Sequence, residues 1–294
     1  MLTNKLGLPE PIVRAISNDT YTKGEADFSV TELLAPPQLV RLRKQHAEEI
    51  VEDASDRIWS LLGQAVHSVI ERAGMSPDTL SEVTLNTEFE GLTIKGTFDH
   101  MAISSLALYD FKVTTVWKVL NNALPPEWEA QTNIYRWMLN REKHIAANTM
   151  TIIAILRDWS KREADRRPDY PQAQAIRLEV PVWPLAVTEA FVRSRISLHL
   201  EEPVAGCTNE DIWAKPSKYA VMKKGRQSAV RLFDTAHEAT EFLRTENVPG
   251  GYVEHRPGVA TRCESYCPVS KFCTQWANDP RNKQVDSVVE GFFS

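Results

Sequence analysis

Residues 96–135, GTFDHMAISSLALYDFKVTTVWKVLNNALPPEWEAQTNIY, decide the fold. The alternation of apolar and polar side chains within 92–102 and 106–114 predicts two neighbouring strands joined by a short turn. Side chains two residues apart on a strand point the same way, so Asp110 and Lys112 share one face of the second strand. The sequence therefore places a carboxylate and an amine side by side on a sheet.

The same stretch ends in a predicted helix over 127–141, which follows Pro125-Pro126 and carries Gln131 and Tyr135 one turn apart. Outside it, hydrophobic periodicity predicts helices at 31–51 (broken near Pro36-Pro37), 56–73 (ended by Gly74) and 188–202, and strands at 82–89, 149–156 and 176–182. Strand 82–89 would pair with 92–102 around a turn at Glu90-Gly91. This mixture predicts an α/β (α+β) fold.

The C-terminal third has a different character. Strands at 218–222 and 228–233 flank Lys223-Lys224-Gly225-Arg226, which predicts a hairpin, and Thr235 with Glu238 predicts a capping box at the start of a helix over 234–244. We expect four segments: an N-terminal arm and helix at 1–55, a core at 56–202, a basic hairpin and cysteine subdomain at 203–280, and a tail at 281–294.

Composition sets broad limits on the kind of protein. The chain has 294 residues, 43% of them hydrophobic, and a net charge of −5, so it can bury a sizeable core but carries no global nucleic-acid signature. A local basic track would still suffice for DNA. The N-terminus lacks the pattern of a signal peptide, and the apolar runs are too short for a membrane span. We therefore expect a cytosolic protein with no membrane partner, in which four cysteines are free or metal-bound.

Asp99 and Asp110 are candidate metal ligands. Mg²⁺ and Mn²⁺ prefer oxygen ligands, and Mn²⁺ also accepts an imidazole, which His67 could supply. A bound metal would activate water and neutralise charge on a phosphate, while Lys112 would orient that water or stabilise the transition state. Taken singly, each of these residues also fits an ordinary core or surface role, and Glu71 and Glu88 are weaker candidates.

The order His67, Gly96-Thr97-Phe98-Asp99, Asp110-Phe111-Lys112, Gln131-x-x-x-Tyr135 resembles the nuclease domain of the RecB family. That family lies within the PD-(D/E)XK superfamily, which includes CRISPR-associated exonucleases and phage recombination exonucleases. The resemblance implies a PD-(D/E)XK core, a mixed sheet flanked by helices, and metal-dependent cleavage of DNA, commonly from an end. It also implies that His67, Asp99 and Asp110 bind the metal with the Phe111 carbonyl, that Lys112 is catalytic, and that Gln131 and Tyr135 lie beside the active site.

The expected function is that of a metal-dependent deoxyribonuclease, an exonuclease of recombination, repair or phage DNA processing in a prokaryotic or phage-infected cytosol. Its expected partners are linear single- or double-stranded DNA and recombination or replication proteins. The alternative is a non-catalytic DNA-binding or recruitment module on the same fold. Asp99, Asp110 and Lys112 argue against that alternative, because a scaffold has no chemical need for all three.

Three cysteines lie close together near the C-terminal end of the sequence, at Cys263, Cys267 and Cys273. Clustered thiolates suit a soft metal or an iron–sulfur cluster. Several RecB-family nucleases hold a [4Fe–4S] cluster with three C-terminal cysteines and one N-terminal cysteine. Here no cysteine precedes His67, so only Cys207 could be the fourth ligand. We expect a [4Fe–4S] cluster; Zn²⁺ at the same thiolates and metal-free cysteines are the alternatives.

Two basic segments are candidate DNA contacts. Residues 214–231 contain no acidic residue and six basic ones, Lys215, Lys218, Lys223, Lys224, Arg226 and Arg231, which fits either a phosphate track or a solvated sheet edge. The loop at 157–171 is also basic but carries acidic residues. Trp117, Trp128 and Trp159 could stack on single-stranded bases, although core packing is the commoner role. The tail could dock a partner or pack on its own domain.

Overall fold

The computed structural model describes residues 1–18, 24–73, 76–120 and 123–282. They form two compact units: Met1–Pro37 with Val51–Val204, and Gln38–Ile50 with the chain from Ala205 onward. Gly74, which the sequence predicts as a helix terminator, and residues 283–294 of the predicted tail lie outside the described residues. Within the described part, no helix combines the length and apolar character needed to cross a bilayer.

The strands and helices are numbered in chain order. The strands are β1 (Leu2–Thr3), β2 (Phe28–Ser29), β3 (Glu52–Asp53), β4 (Thr79–Phe89), β5 (Leu92–Ala102), β6 (Ala107–Thr114), β7 (Thr149–Leu156), β8 (Ala175–Glu179), β9 (Ala214–Lys215), β10 (Lys218–Lys223), β11 (Arg231–Phe233), β12 (Gly251–Arg256) and β13 (Val259–Ala260). The α-helices are α1 (Glu10–Ser17), α2 (Val30–Leu34), α3 (Pro37–Gln45), α4 (Ile58–Ala73), α5 (Val116–Val119), α6 (Pro126–Lys143), α7 (Lys161–Ala164), α8 (Leu185–Leu200), α9 (Ala236–Thr245), α10 (Thr261–Ser265) and α11 (Thr274–Ala277).

The first unit is built on a six-stranded mixed sheet. Its order is β2-β5-β6-β7-β8, and β4 pairs with β5. The β6–β7 pair is parallel, whereas the β4–β5, β5–β6 and β7–β8 pairs are antiparallel. Helices α4 and α6 contact this sheet. The predicted mixed sheet flanked by helices is confirmed at this level.

The core of this unit lies between the sheet and α6. Strand β7 is buried along most of its length, as its β-branched sequence predicts. Helix α6 contributes Ile134, Trp137, Met138 and Leu139, each at most 2% exposed. Removing such side chains from water supplies much of the stability of a domain this size, at about 1.5–3 kcal/mol for each large apolar side chain.

Gly96 on β5 determines how closely α6 approaches the sheet. A Cβ atom at this position would lie 2.8 Å from Val30 Cγ2 and 2.9 Å from Tyr135 Cε1, closer than real Cβ atoms come. The absence of a side chain therefore lets Tyr135 and its helix pack directly on the strand that carries Asp99. Gly96 is therefore needed for the packing of α6 against the strand segment that leads to Asp99.

Three short helical segments differ from the sequence prediction. The N-terminal arm contains α1, a helix outside the predicted set. Its first turn includes Pro11, a favourable position because the missing N–H has no helical partner there. The helix predicted at 31–51 is two helices, α2 and α3, and α2 begins with a capping box formed by Ser29 and Glu32. Residues 157–171, predicted as a loop, contain the short helix α7.

The second unit has a small sheet of its own, with the order β11-β10-β12. The predicted hairpin of β10 and β11 is present, with Tyr219 opposite Phe233. Helix α9 starts at the predicted capping box, in which Thr235 and Glu238 exchange hydrogen bonds. A second apolar cluster contains Ile212, Ala260 and Trp276, and Cys207, Cys263 and Cys273 pack against it.

Candidate functional site

The candidate site lies where β5 and β6 separate. These strands pair only at His100–Ala102 with Ala107–Tyr109, so the ladder stops at Asp99 and Asp110. Beyond this point the Asp99 carboxylate replaces the missing strand bond, because its Oδ2 accepts the Phe111 N–H at 2.6 Å. Two carboxylates thus stand at a gap in the sheet, as the sequence predicts from the strand positions.

Strand β4 adds a third carboxylate, Glu82, which is absent from the residues that the sequence predicts for the site. Ser81 pairs with His100 and Val83 with Phe98, so Glu82 lies opposite Asp99. Glu82 itself leaves the ladder with a φ of +49°, a strained value for a residue with a side chain. Such strain concentrates at functional sites, and here it falls beside the candidate metal ligands.

A sequence signal for Glu82 exists. The predicted turn at Glu90-Gly91 joins β4 to β5, and counting back eight residues from Glu90 and forward eight from Gly91 pairs Glu82 with Asp99. The left-handed backbone at Glu82 interrupts the alternation of side chains, and that interruption hides its direction from a simple pattern.

Helix α4 supplies His67 to this gap. Its Nδ1 lies 3.3 Å from Glu82 Oε1 and 3.6 Å from Asp99 Oδ1, and its Nε2 donates to the Phe111 carbonyl at 3.0 Å. One ligand atom from each of His67, Glu82 and Asp99 falls within 4.8 Å of the others. A nitrogen, two carboxylate oxygens and a backbone carbonyl therefore converge, a donor set that suits Mn²⁺ or Mg²⁺.

The pKa values of Asp99 and His67 are both raised, as expected where negative charge is crowded together without a cation. Burial, reinforced by the nearby Asp110 carboxylate, raises the pKa of Asp99 to about 7, against smaller opposing effects of His67 and Lys112. The hydrogen bond to Glu82 raises the pKa of His67 above its usual value, although burial opposes this rise. A bound cation would reverse both effects, because it favours the ionised carboxylate and the neutral imidazole.

Lys112 is held by side chains from β6 and α6. Its Nζ donates to Asp110 Oδ1 at 3.0 Å and to Gln131 Oε1 at 2.8 Å, and Gln131 Nε2 donates to the Tyr135 hydroxyl at 2.9 Å. The structure thus joins Asp110, Lys112, Gln131 and Tyr135, all four predicted as site residues, in one chain of hydrogen bonds. This chain fixes the position of the ammonium group.

Asp110 is only 2% exposed. Its Oδ2 lies 2.8 Å from Lys112 Nζ, yet among the described residues it receives no well-directed hydrogen bond. A buried carboxylate oxygen without such a bond is costly unless a cation is close by. Asp110 is not one of the three residues whose ligand atoms lie within 4.8 Å of one another, but its charge acts on Asp99. The residues at the gap therefore fit a divalent cation.

The weaker candidates lie apart from this group. Glu88 is an exposed residue near the far end of β4, and Glu71 follows His67 by one turn on α4. Among the described residues the close triad contains Glu82 in place of either.

All four cysteines line one cavity of the second unit. Gln38 Nε2 and the Trp276 N–H donate to Cys273 Sγ at 3.3 and 3.4 Å. Burial raises the pKa of Cys207 to about 12 and that of Cys263 to about 11, and the other cysteines contribute to both shifts. Among the described residues no three sulfur atoms lie within 4.8 Å of one another.

The six basic residues of 214–231 are divided among several elements. Lys215 is on β9, Lys218 and Lys223 are on β10, Arg231 is on β11, and Lys224 and Arg226 follow β10. Lys218 forms an ion pair with Asp234, and the Arg231 guanidinium lies 5.2 Å from the Phe233 ring. Five of the six are exposed, and only Lys218 is partly buried.

The predicted stacking tryptophans differ in exposure. Trp117 is 75% exposed, whereas Trp128 and Trp159 are partly buried against the core. The Trp159 indole N–H donates to the Pro171 carbonyl at 2.7 Å, so this ring has a structural role.

No protein-family model matches this chain, and no curated protein matches it. Among solved structures it is similar to the crystal structure of SSO0001, with 18% sequence identity and a TM-score of 0.44. The match covers 64% of this chain and 84% of that one. A likeness at this level carries no conclusion about family or activity.

Proposed function

We propose that this chain is a metal-dependent DNA exonuclease of the RecB type within the PD-(D/E)XK superfamily. The observation that carries the proposal is the gap between β5 and β6. There His67, Glu82 and Asp99 converge beside a lysine that Asp110 and Gln131 hold in place. A simple DNA-binding scaffold would gain nothing from burying two carboxylates near each other, since their repulsion costs free energy.

Mg²⁺ or Mn²⁺ would bind to His67, Glu82 and Asp99, with the Phe111 carbonyl and Asp110 as further donors. When bound, the metal would lower the pKa of a coordinated water and neutralise charge on the scissile phosphate. The His67 Nδ1, which faces Glu82 and Asp99, can bind the cation only after it loses its proton, and Asp99 only by releasing its own proton. Metal binding at this site therefore releases protons.

Lys112 would act on the reacting phosphate. The Lys112 side chain is 20% exposed, and two acceptors fix the direction of its ammonium group before substrate arrives. A fixed positive charge stabilises negative charge that develops on the phosphate oxygens without a cost of reorganisation. Gln131 and Tyr135 serve as positioning residues: Gln131 accepts a hydrogen bond from Lys112, and Tyr135 in turn accepts one from Gln131.

We also propose that Cys207, Cys263, Cys267 and Cys273 hold a [4Fe–4S] cluster. Tetrahedral zinc with Zn–S bonds of about 2.3 Å needs sulfur atoms about 3.8 Å apart. In the described part of the chain, no three of these sulfurs lie within 4.8 Å of one another. A polynuclear cluster suits more widely spaced sulfurs, and the donors to Cys273 would stabilise a thiolate ligand. The cluster would stabilise the second unit, whose apolar cluster is small.

The exposed basic residues Lys215, Lys223, Lys224, Arg226 and Arg231 would contact DNA phosphates. Their contribution would be independent of sequence and sensitive to salt. Participation in recombination, repair or phage DNA processing, together with proteins of those processes, follows from the family resemblance.

The experiment that tests the proposal compares linear with circular DNA. Purified wild-type protein is incubated with end-labelled linear single- and double-stranded DNA, and with a closed circle, in Mg²⁺, in Mn²⁺ and in EDTA. We expect divalent-dependent release of short products from the linear substrates and an intact circle. Cleavage of the circle would overturn the exonuclease assignment, and no cleavage of any substrate in either metal would overturn the nuclease assignment.

A further inference from the structure

Helix α4 carries an exposed aromatic residue on the same side as His67. Trp59, Gly63 and His67 follow one another at spacings of four residues, so they lie along one side of the helix. A rise of 1.5 Å per residue puts Trp59 about 12 Å from His67. A Cβ atom placed on Gly63 would meet nothing within 4 Å, so the surface at this point between the two is open.

Trp59 is 55% exposed, which is unusual for the largest side chain of a helix that flanks a sheet. The guanidinium of Arg157 lies 3.9 Å from the centre of its ring, within the range of a cation–π contact. Arg157 lies over the indole ring, and more than half of the Trp59 surface remains exposed. Arg157 is itself exposed.

The backbone fixes this pair beside the candidate active site. The Arg157 N–H donates to the Thr114 carbonyl at 2.9 Å, directly after the parallel pairing of β6 with β7. Thr114 is two residues beyond Lys112 on β6. The Trp59–Arg157 pair thus lies at the end of the strand that carries the candidate catalytic lysine, and on the helix that carries a candidate metal ligand.

We propose that Trp59 and Arg157 form a stacking platform for an unpaired base of single-stranded DNA, from which the strand passes over Gly63 to the metal site. This proposal rests on the proposed nuclease function. The free face of the indole would take the base, and the guanidinium would contact the neighbouring phosphate. A duplex keeps its base faces inside its own stack, so the platform favours single strands and frayed ends.

The separation indicates which nucleotide the platform would hold. Stacked nucleotides advance about 3.4 Å each along a strand, so about 12 Å corresponds to three or four nucleotides between the stacked base and the scissile phosphate. Oligonucleotides shorter than this cannot reach both. The platform thus acts in binding and positioning, since neither residue touches the reacting atoms.

The test is binding of a fluorescein-labelled oligothymidine, measured by anisotropy in EDTA so that cleavage does not interfere. Loss of one base–aromatic stack should raise the Kd of Trp59→Ala by about 5- to 150-fold, while Trp59→Phe, which keeps an aromatic face, should lie between this variant and wild type. Arg157→Gln should weaken binding and reduce the salt slope by about one phosphate contact. Leu62→Ala on the same helix and Trp213→Ala, another exposed tryptophan with an arginine over its ring, are matched controls that should bind as wild type.

Circular dichroism and thermal melting of each variant establish that it is folded before binding is compared. If folded Trp59→Ala binds the oligothymidine within about twofold of wild type, the platform is excluded, whatever the nuclease assay shows. If wild type degrades no DNA but Trp59→Ala loses binding, the platform stands and the nuclease proposal fails. If duplex binding falls as much as single-strand binding, the single-strand assignment is wrong.

Discussion

At the scale of single residues, the candidate site depends on charges that the fold holds close together. Asp99 is almost fully buried, lies near Asp110, and retains a proton up to about pH 7 as a result. His67 retains its proton more strongly than usual because Glu82 accepts from it. In the metal-free protein, protons on Asp99 and His67 therefore supply the positive charge that a bound metal ion would supply in the loaded protein.

Asp99 gives the metal-free protein a characteristic pH dependence. Its pKa is about 7 in the folded chain and 3.8 as the ordinary value, so the folded state binds more protons between these limits. The free energy of unfolding should therefore fall as pH rises from about 4 to about 7. The raised pKa of His67 adds a further fall that begins above its ordinary value of 6.5. Asp99→Asn should remove most of this fall. Thermal melting of both proteins in EDTA across this range measures it, and parallel pH profiles would contradict the assignment.

Glu82 should contribute to metal affinity. Replacing one ligand of the triad by an amide removes a negative charge from the site, so Glu82→Gln should weaken Mn²⁺ binding by at least about tenfold. Isothermal titration calorimetry at pH 8 measures this, and Glu88→Gln, a carboxylate on the same strand but outside the triad, is the control. Equal Mn²⁺ affinity of Glu82→Gln and wild type would remove Glu82 from the ligand set.

At the scale of elements, the position of α6 on β5 sets the geometry around Lys112. The sequence predicts β4, β5, β6 and α6 with nearly their observed bounds, because hydrophobic alternation and the flanking prolines are strong local signals. It also names Asp99, Asp110, Lys112 and His67 as candidate site residues, and the structure places all four at the gap between β5 and β6. It does not predict Glu82, since a single left-handed residue inside a strand leaves no mark on composition. The contact of His67 on α4 with Glu82 on β4 also leaves no local pattern in the sequence, because it forms only in the folded chain.

Gly96→Val should disturb that packing. Its Cβ would fall inside the contact distances to Val30 and Tyr135, and overpacking of this kind costs about 1–3 kcal/mol. The melting temperature should fall, and nuclease activity should fall further than stability alone requires, because Tyr135 and Gln131 would shift away from Lys112. Gly63→Ala is the stability control: its site is open and helical, so it should be stabilised by about 0.5–1 kcal/mol. A Gly96→Val protein as stable as wild type would contradict this description of the packing.

At the scale of the whole molecule, two compact units each carry one candidate inorganic site. The sequence places the cysteines in a C-terminal subdomain, but it assigns 38–50 to the N-terminal arm, whereas these residues belong to the second unit. Gln38 contacts Cys273 there, although 235 residues separate them in the sequence. Such a long-range contact has no local pattern, so sequence alone could not predict it.

The cysteine site should bind iron and inorganic sulfide. After anaerobic reconstitution the wild-type protein should be brown and contain close to four irons, and Cys207→Ser should lose most of this iron and melt at a lower temperature. Iron and sulfide analysis with visible absorbance provides the measurement, and Ser265→Ala, on α10 next to the cysteines, is the control. If the reconstituted protein contains one zinc and no sulfide, the site is a zinc site and the cluster assignment is wrong. If Cys207→Ser keeps its full iron content, Cys207 is not a ligand.

The most direct test of the central claim is the single-turnover rate of nucleotide release from end-labelled linear DNA in Mn²⁺, for wild type, Lys112→Ala and Lys118→Ala. Lys118 is a surface lysine paired with Glu127 and serves as the matched control. Removing a fixed charge from the transition state should slow Lys112→Ala by about 10²–10³-fold, while Lys118→Ala should match wild type. Equal rates for Lys112→Ala and wild type would contradict the claim that this gap in the sheet is the active site of a nuclease.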